Sequence, residues 1–291
     1  MKSIYSYLIV CLISVNVFGQ GIQPFVIFDK NGNVSEFQAV AKSAASSNLV
    51  LFGELHDNPI AHWLERILAE DLYKTKNGNL IIGAEMFETD NQLLLDEYIN
   101  GLISRQRFEA EAKLWPNYKT DYKPIVEFAK ENKVKFIASN VPRRYASMVA
   151  GGGFDTLKAL SPMAKSYIAP LPIEFDINLS GYKKMLAMGG MPSQGHSNSE
   201  YLPMAQALKD ATMAHNIVEN LIVGHTFIHF HGSYHSNNFE GIYWYVKRYK
   251  PSLKILTIAT VMQEDLSSLY DENKNLADYI IVVTDKMTRT Y

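Results

Sequence analysis

Seven short apolar runs punctuate this chain, at residues 25–28, 48–53, 79–85, 133–138, 226–231, 254–259 and 277–283, and stretches with helical spacing separate most of them. Runs of this length rich in Val, Ile, Leu and Phe read as strands. A helix is predicted from Asn58-Pro59, with Asn as cap and Pro in the first turn. Its apolar positions Ile60, Trp63, Leu64, Ile67, Leu68 and Leu72 keep helical spacing. Further helical patterns carry Leu93, Leu94, Leu95 and Tyr98, span Tyr122 to Asn132, and begin again near Glu240. The first run is followed by the turn Asp29-Lys-Asn-Gly32, which predicts a hairpin or entry strand. Continuous apolar strands alternating with helices predict an α/β fold, a mostly parallel sheet flanked by helices. Residues from about 141 to 215 break the rhythm with Gly151-Gly152-Gly153, several prolines and the stretch Met185–Gly195. That segment predicts a smaller helical insertion domain, with a mobile glycine- and methionine-rich loop and a long helix from Leu202 to Leu221.

Residues 1–19 carry one early positive charge and then an apolar stretch too short to span a bilayer. Small residues in Val17-Phe18-Gly19 suit a cleavage site, so residues 1–19 are read as a secretory signal peptide and 20–291 as the mature domain. The expected location is the periplasm or cell envelope. Cys11 is the only cysteine. Val10 before it, and further apolar residues after it, argue against a lipid anchor. The mature chain then has no disulfide or thiolate chemistry, and its stability rests on a core that 47% hydrophobic residues can supply. The net charge is −2 with both signs interspersed. No basic stripe or zinc-finger spacing occurs, which argues against nucleic acid as a partner. Beyond the leader no apolar run reaches the roughly 20 residues of a membrane helix.

Two histidines alone stand three residues after a glycine, in Gly53-Glu54-Leu55-His56 and Gly232-Ser233-Tyr234-His235. Each motif closes an apolar run, and a third run ends in Glu85. Carboxyl ends of neighbouring parallel strands converge on one crevice, so Glu54, His56, Glu85 and His235 are expected to meet there. Alternate side chains of an extended segment share a face, which puts Glu54 and His56 together. An unpaired carboxylate at the end of a core strand would cost several kcal/mol, on the order of other buried unpaired charges, and two side by side need a cation, a proton or a histidinium between them. His225, His229 and His231 compete with His235 for the fourth place, although a histidine on an apolar strand is more often packed core. His62, with Arg66 one turn on, either faces the crevice or lies on the surface. One chemistry for this set is hydrolysis: His56, Glu85 and His235 would hold a divalent ion that acidifies bound water, and Glu54 would take the proton. A metal-free version would use histidine as base against an ester. No Gly-x-Ser-x-Gly elbow, His-Glu-x-x-His helix or phosphate-cradling loop is present.

Gly53-Glu54-Leu55-His56-Asp57-Asn58 with His62, Ala84-Glu85-Met86-Phe87, Trp115-Pro116, Tyr122-Lys-Pro124, Asn140-Val-Pro-Arg143, Ala205–Met213 and Gly232–His235 with Gly241-Ile242 occur in this order. Together they resemble the ChaN-like haem-binding uptake proteins, of the superfamily that includes the Tiki proteases and erythromycin esterases. The likeness runs from about residue 48 to 260. It implies an exported haem-binding protein for haem and iron uptake, with a metal-dependent esterase or peptidase as the alternative. It also implies a homodimer holding two haems face to face, a tyrosine on each iron, and a histidine of the partner subunit on the propionates. Tyr122 and Tyr234 are the candidate tyrosines. His62, Arg143 and Arg144 are candidate anchors for the propionates, and Met185, Met188 and Met191 could offer an apolar surface. The chain departs from the family where Gly-Ser-Tyr-His replaces the frequent Gly-Asn-Gly-His. Tyr234 is then either a new ligand or a plug beside His235.

Overall fold

The computed structural model describes residues 23–189 and 201–291. The signal peptide expected over residues 1–19, Cys11, and residues 190–195 of the expected loop lie outside them. All seven expected runs form strands: β1 (Phe25–Asp29), β3 (Leu49–Glu54), β4 (Leu80–Glu88), β5 (Lys135–Asn140), β6 (Thr226–Gly232), β7 (Ile255–Gln263) and β8 (Tyr279–Thr284). A short β2 (Val34–Ser35) completes one eight-stranded sheet in the order β2-β1-β8-β7-β3-β6-β4-β5. The strands from β8 to β5 run parallel, and β1 is antiparallel to both β8 and β2. The expected hairpin is thus an antiparallel edge. Its turn is held by the Asp29 carboxylate, which accepts from the backbone N–H of Asn31 at 2.8 Å and of Asn33 at 2.9 Å.

Helices cover both faces, so the central strands are apolar on both sides. Val50 and Phe52 of β3 join a core with Val40, Leu64, Leu68 and Leu72 from the helices Phe37–Ala45 and Pro59–Thr75. Leu49 and Leu51 point the other way, into a core with Val149, Leu208, Ala211, Ala214, Ile217 and Val246. Those residues come from the helices Arg143–Gly152, Leu202–Glu219 and Ile242–Tyr249. The helical stretch expected over about 141–215 therefore supplies part of the layer on the second face of the sheet.

Asn58 caps the helix Pro59–Thr75 as its sequence predicts, its Oδ1 accepting from Ile60 N at 3.0 Å and Ala61 N at 3.1 Å. Ile60, Leu64, Leu68 and Leu72 are buried as expected, and the buried face widens on one side. Trp63 is 53% exposed, against Phe25, whereas His62 and Glu65 are buried beside Leu68 and Leu72.

The order of the sheet makes the crevice. The chain steps from β3 to β4 and β5 on one side, returns to insert β6 between β3 and β4, and then adds β7 and β8 on the other side. Such a reversal leaves a gap above the carboxyl ends of the strands at the switch point. Glu54, Glu85 and the segment Gly232–His235 all lie there.

Candidate functional site

The two Gly-x-x-His motifs lock against each other. A Cβ on Gly53 would lie 2.7 Å from the Ser233 Cα, and one on Gly232 would lie 2.7 Å from the His56 Nε2. Each motif begins with glycine because the other motif occupies the space of a side chain. The lock also fixes His56, whose Nδ1–H donates to Glu54 Oε1 at 2.6 Å and whose ring meets Trp115 edge-on at 5.0 Å between centroids. Burial opposes a charge on His56, but Glu54 and then Glu85 outweigh it and raise its pKa.

Glu85 sits where the pairing of β4 with β5 shifts register, between Ala84 and Glu88. Its Oε2 accepts the Gly232 N–H at 2.9 Å, and its Oε1 accepts from His235 Nε2 at 3.1 Å. The other ring nitrogen of His235 donates to Asp210 on the helix Leu202–Glu219, and Tyr182 donates to the second oxygen of Asp210 at 2.8 Å. Burial works against the imidazolium of His235, yet Glu85 and Asp210 push its pKa up to about 9. In return, and despite burial, that charge holds Glu85 well below the usual carboxylate range.

Glu54 faces a second, deeper group. Its Oε1 also accepts from Tyr122 OH at 2.7 Å, and its Oε2 lies 3.3 Å from His62 Nδ1. His62 Nδ1 is 3.1 Å from Glu65 Oε2, and its Nε2–H donates to the His56 carbonyl at 3.1 Å. The Asn117 amide donates to the same carbonyl at 2.8 Å and to Asp121 at 2.7 Å. Burial and the neighbouring Glu54 push Glu65 well above the ordinary carboxylate range.

The four expected site residues are therefore brought together in space. Within the expected ligand set His56, Glu85 and His235, His235 has a carboxylate at each ring nitrogen, Asp210 at Nδ1 and Glu85 at Nε2. Among the described residues, the triad whose donor atoms lie within 4.8 Å of one another is Glu54, His62 and Glu65, all buried. The haem-contact candidates divide between interior and surface. Tyr122 and His62 are inside the protein, 2% and 7% exposed, and serve Glu54. Tyr234 is 43% exposed, its hydroxyl donating to the Gly181 carbonyl at 2.6 Å, and Arg143 is exposed on the crevice wall. His229 and His231 are packed core: His229 meets Ser139 Oγ at 2.7 Å, and His231 Nε2 meets Ser236 Oγ at 2.8 Å. Burial, then repulsion from His235, lowers His231 to about 3. Asp210, Glu65, Asn117 and Lys209 belong to the site and were not expected from the sequence.

Two lobes of the crevice share His56. One, of about 650 Å³, is lined by Glu85, Leu114, Trp115, Val141, Arg143 and Lys209 among others, and the second, of about 590 Å³, by Leu55, Tyr234, Val261, Met262 and Tyr291 among others. Both volumes lie within the range of small-molecule sites.

A family model described as haem-binding uptake, Tiki superfamily, ChaN, matches residues 40–246. The chain belongs to this family. Among curated proteins none matches. Of solved structures, that titled cofacial heme binding to ChaN of Campylobacter jejuni is similar with a TM-score of 0.65 at 18% identity, over 89% of this chain and 96% of that one. That likeness establishes the fold of this ChaN-family member. The type III effector HopBA1 (TM-score 0.46, 15% identity, 87% and 94% covered) and an erythromycin esterase, EreC (0.43, 12%, 85% and 78%), are more distant.

Proposed function

We propose that this ChaN-family protein binds haem as cargo in the crevice around His56 and acts, exported and as a homodimer, in haem uptake. The observation that carries the reading is the division of the crevice at His56. One lobe presents Leu55, Val261, Met262 and two phenols, and the other presents Arg143, Lys209 and Lys113 beside Trp115. Haem is a flat apolar plate with two carboxylates and an iron, so it needs an apolar wall, a cationic edge and a donor. The residues present fit those needs. In this reading Tyr234, 43% exposed, is the iron ligand, since Tyr122 is committed to Glu54. Arg143 and Lys209 suit the propionates. Membership of a haem-binding uptake family, and the haem-bound relative of the same fold, support this reading. Titration of the purified full chain with hemin tests it: a Soret shift saturating at about one haem per chain is expected, and an unshifted Soret band in both oxidation states overturns it.

A second reading rests on the Glu54–His56 contact. A carboxylate on Nδ1 fixes the tautomer that leaves Nε2 free as a general base, here facing Glu85. This reading makes the site a hydrolase of esters or peptides. Its test is ester turnover that falls at least 100-fold in Glu54→Gln; absence of turnover in the native chain removes it.

A further inference from the structure

We infer that Glu54, His62 and Glu65 form a buried site for a divalent transition-metal ion, beneath the crevice with which it shares Glu54, and independent of the haem reading. Three features carry this. First, the donors are gathered: the three residues are 1%, 7% and 2% exposed, and their donor atoms lie within 4.8 Å of one another. His62 Nδ1 stands 3.3 Å from Glu54 Oε2 and 3.1 Å from Glu65 Oε2. Bonds of about 2.0 Å at tetrahedral angles separate neighbouring ligand atoms by about 3.3 Å, so both distances from His62 match those between neighbouring ligands.

Second, each carboxylate keeps one oxygen unsatisfied. Glu54 Oε2 and Glu65 Oε1 are buried and have no hydrogen-bond partner. Buried carboxylate oxygens without partners are rare because each forfeits its hydration. Asp121 Oδ2 lies a further 3.7 Å from His62 Nε2, so one imidazole faces three carboxylates. Third, the surroundings are those of a ligand set. His62 Nε2 points at the His56 carbonyl at 3.1 Å, which directs the proton there and leaves Nδ1 toward the carboxylates. Tyr122 and His56 both bond Glu54 Oε1 and leave its other oxygen for the ion. Such outer contacts orient metal ligands. Glu54 also lines the 590 Å³ lobe, which gives an ion a route from solvent.

One imidazole and two carboxylates suit Zn²⁺, Mn²⁺ or Fe²⁺ rather than a soft or an alkaline-earth ion. The competing occupant is a proton on His62 Nδ1, and the experiment separates the two. The full chain, stripped with chelator and dialysed, is titrated with Zn²⁺ by calorimetry, and the Zn²⁺-loaded protein is examined by X-ray absorption. One Zn²⁺ per chain is expected, with a shell containing a single imidazole. Glu65→Gln should weaken binding at least tenfold, and His235→Gln should leave it within about twofold. Failure to bind Zn²⁺ stoichiometrically overturns the site in favour of the proton. A shell with two imidazoles, or binding lost in His235→Gln and kept in Glu65→Gln, moves the ion to the crevice and also overturns it. The absorption measurement needs only the native chain, so it decides the matter even where a variant does not fold.

Discussion

Glu85 and His235, 150 positions apart in sequence, meet at 3.1 Å as a buried ion pair. The pair spans β4 and the end of β6, and so ties the two strands at the mouth of the sheet. Glu85→Gln leaves His235 with Asp210 as its remaining carboxylate partner, so the loss is that of one buried charged hydrogen bond, about 1.5–3 kcal/mol. That drop in unfolding free energy is expected at pH 6, measured by urea denaturation. The pH dependence has a definite sign. His235 is raised from 6.5 to about 9, so its contribution is complete below pH 6.5 and is lost as pH rises through 9. The difference between native chain and variant should narrow over that window. A constant difference from pH 6 to pH 10 would contradict the pairing.

His229 and His231 behave in the opposite way. Both are buried, and both are held neutral, His231 down to about 3. Below their ordinary value of 6.5 the unfolded chain takes up protons that the folded chain refuses. Stability should fall by about 1.4 kcal/mol per pH unit for each of the two. Denaturation at pH 7, 6 and 5 checks this, and His231→Gln should remove one histidine's share of the slope.

The two glycines of the interlocked motifs should fail differently on conversion to alanine. In Gly53→Ala the new Cβ meets backbone, the Ser233 Cα at 2.7 Å, which cannot swing aside. A loss of about 1–3 kcal/mol in stability is expected, as for other overpacked positions. In Gly232→Ala the obstacle is the end of the His56 ring. The ring can rotate away, so stability should change less while hemin affinity drops at least tenfold. Thermal melts and Soret titrations of both variants test the contrast.

Two tyrosines separate ligand from scaffold. Tyr234→Phe should alter the visible spectrum of the haem complex and leave the melting temperature nearly unchanged, because its hydroxyl is at the surface. Tyr122→Phe removes a hydrogen bond to the buried Glu54 carboxylate and should cost about 1.5–3 kcal/mol of stability, with the spectrum of bound haem preserved. The reverse outcome would transfer the iron to Tyr122.

The strands and four site residues were legible in the sequence for one physical reason. A carboxylate or imidazole at the end of an unbroken apolar run has nowhere polar to go, so Glu54, Glu85 and His235 announce themselves. Their helical partners lack that contrast. Asp210 and Gln206, whose side-chain amide lies 3.0 Å from the His235 ring, stand one turn apart among Ala207, Ala211 and Ala214 on a buried face. A polar pair on a face of small residues was the available signal, and charged residues elsewhere on the helix mask it. On the helix Pro59–Thr75 the apolar positions Ile60, Leu64, Leu68 and Leu72 marked the buried face, but Trp63, at the surface against Phe25, drew attention to one flank and away from His62 and Glu65 on the other. The antiparallel edge was readable from its turn. Sheet order was not, because nothing local records that β6 enters between β3 and β4.

That insertion dictates when the protein becomes competent. During synthesis β3, β4 and β5 emerge together, but β3 and β4 stay without their shared neighbour until Thr226–Gly232 arrives. Until then each leaves an open edge, and neither has the loop that closes over Glu54 and Glu85. Pairings between segments so far apart form slowly and expose the chain to misassembly. A chain halted before Thr226 would carry Glu54, His56 and Glu85 without His235 or the loop that closes the crevice, which makes ligand capture a reporter that residues 226–291 have docked.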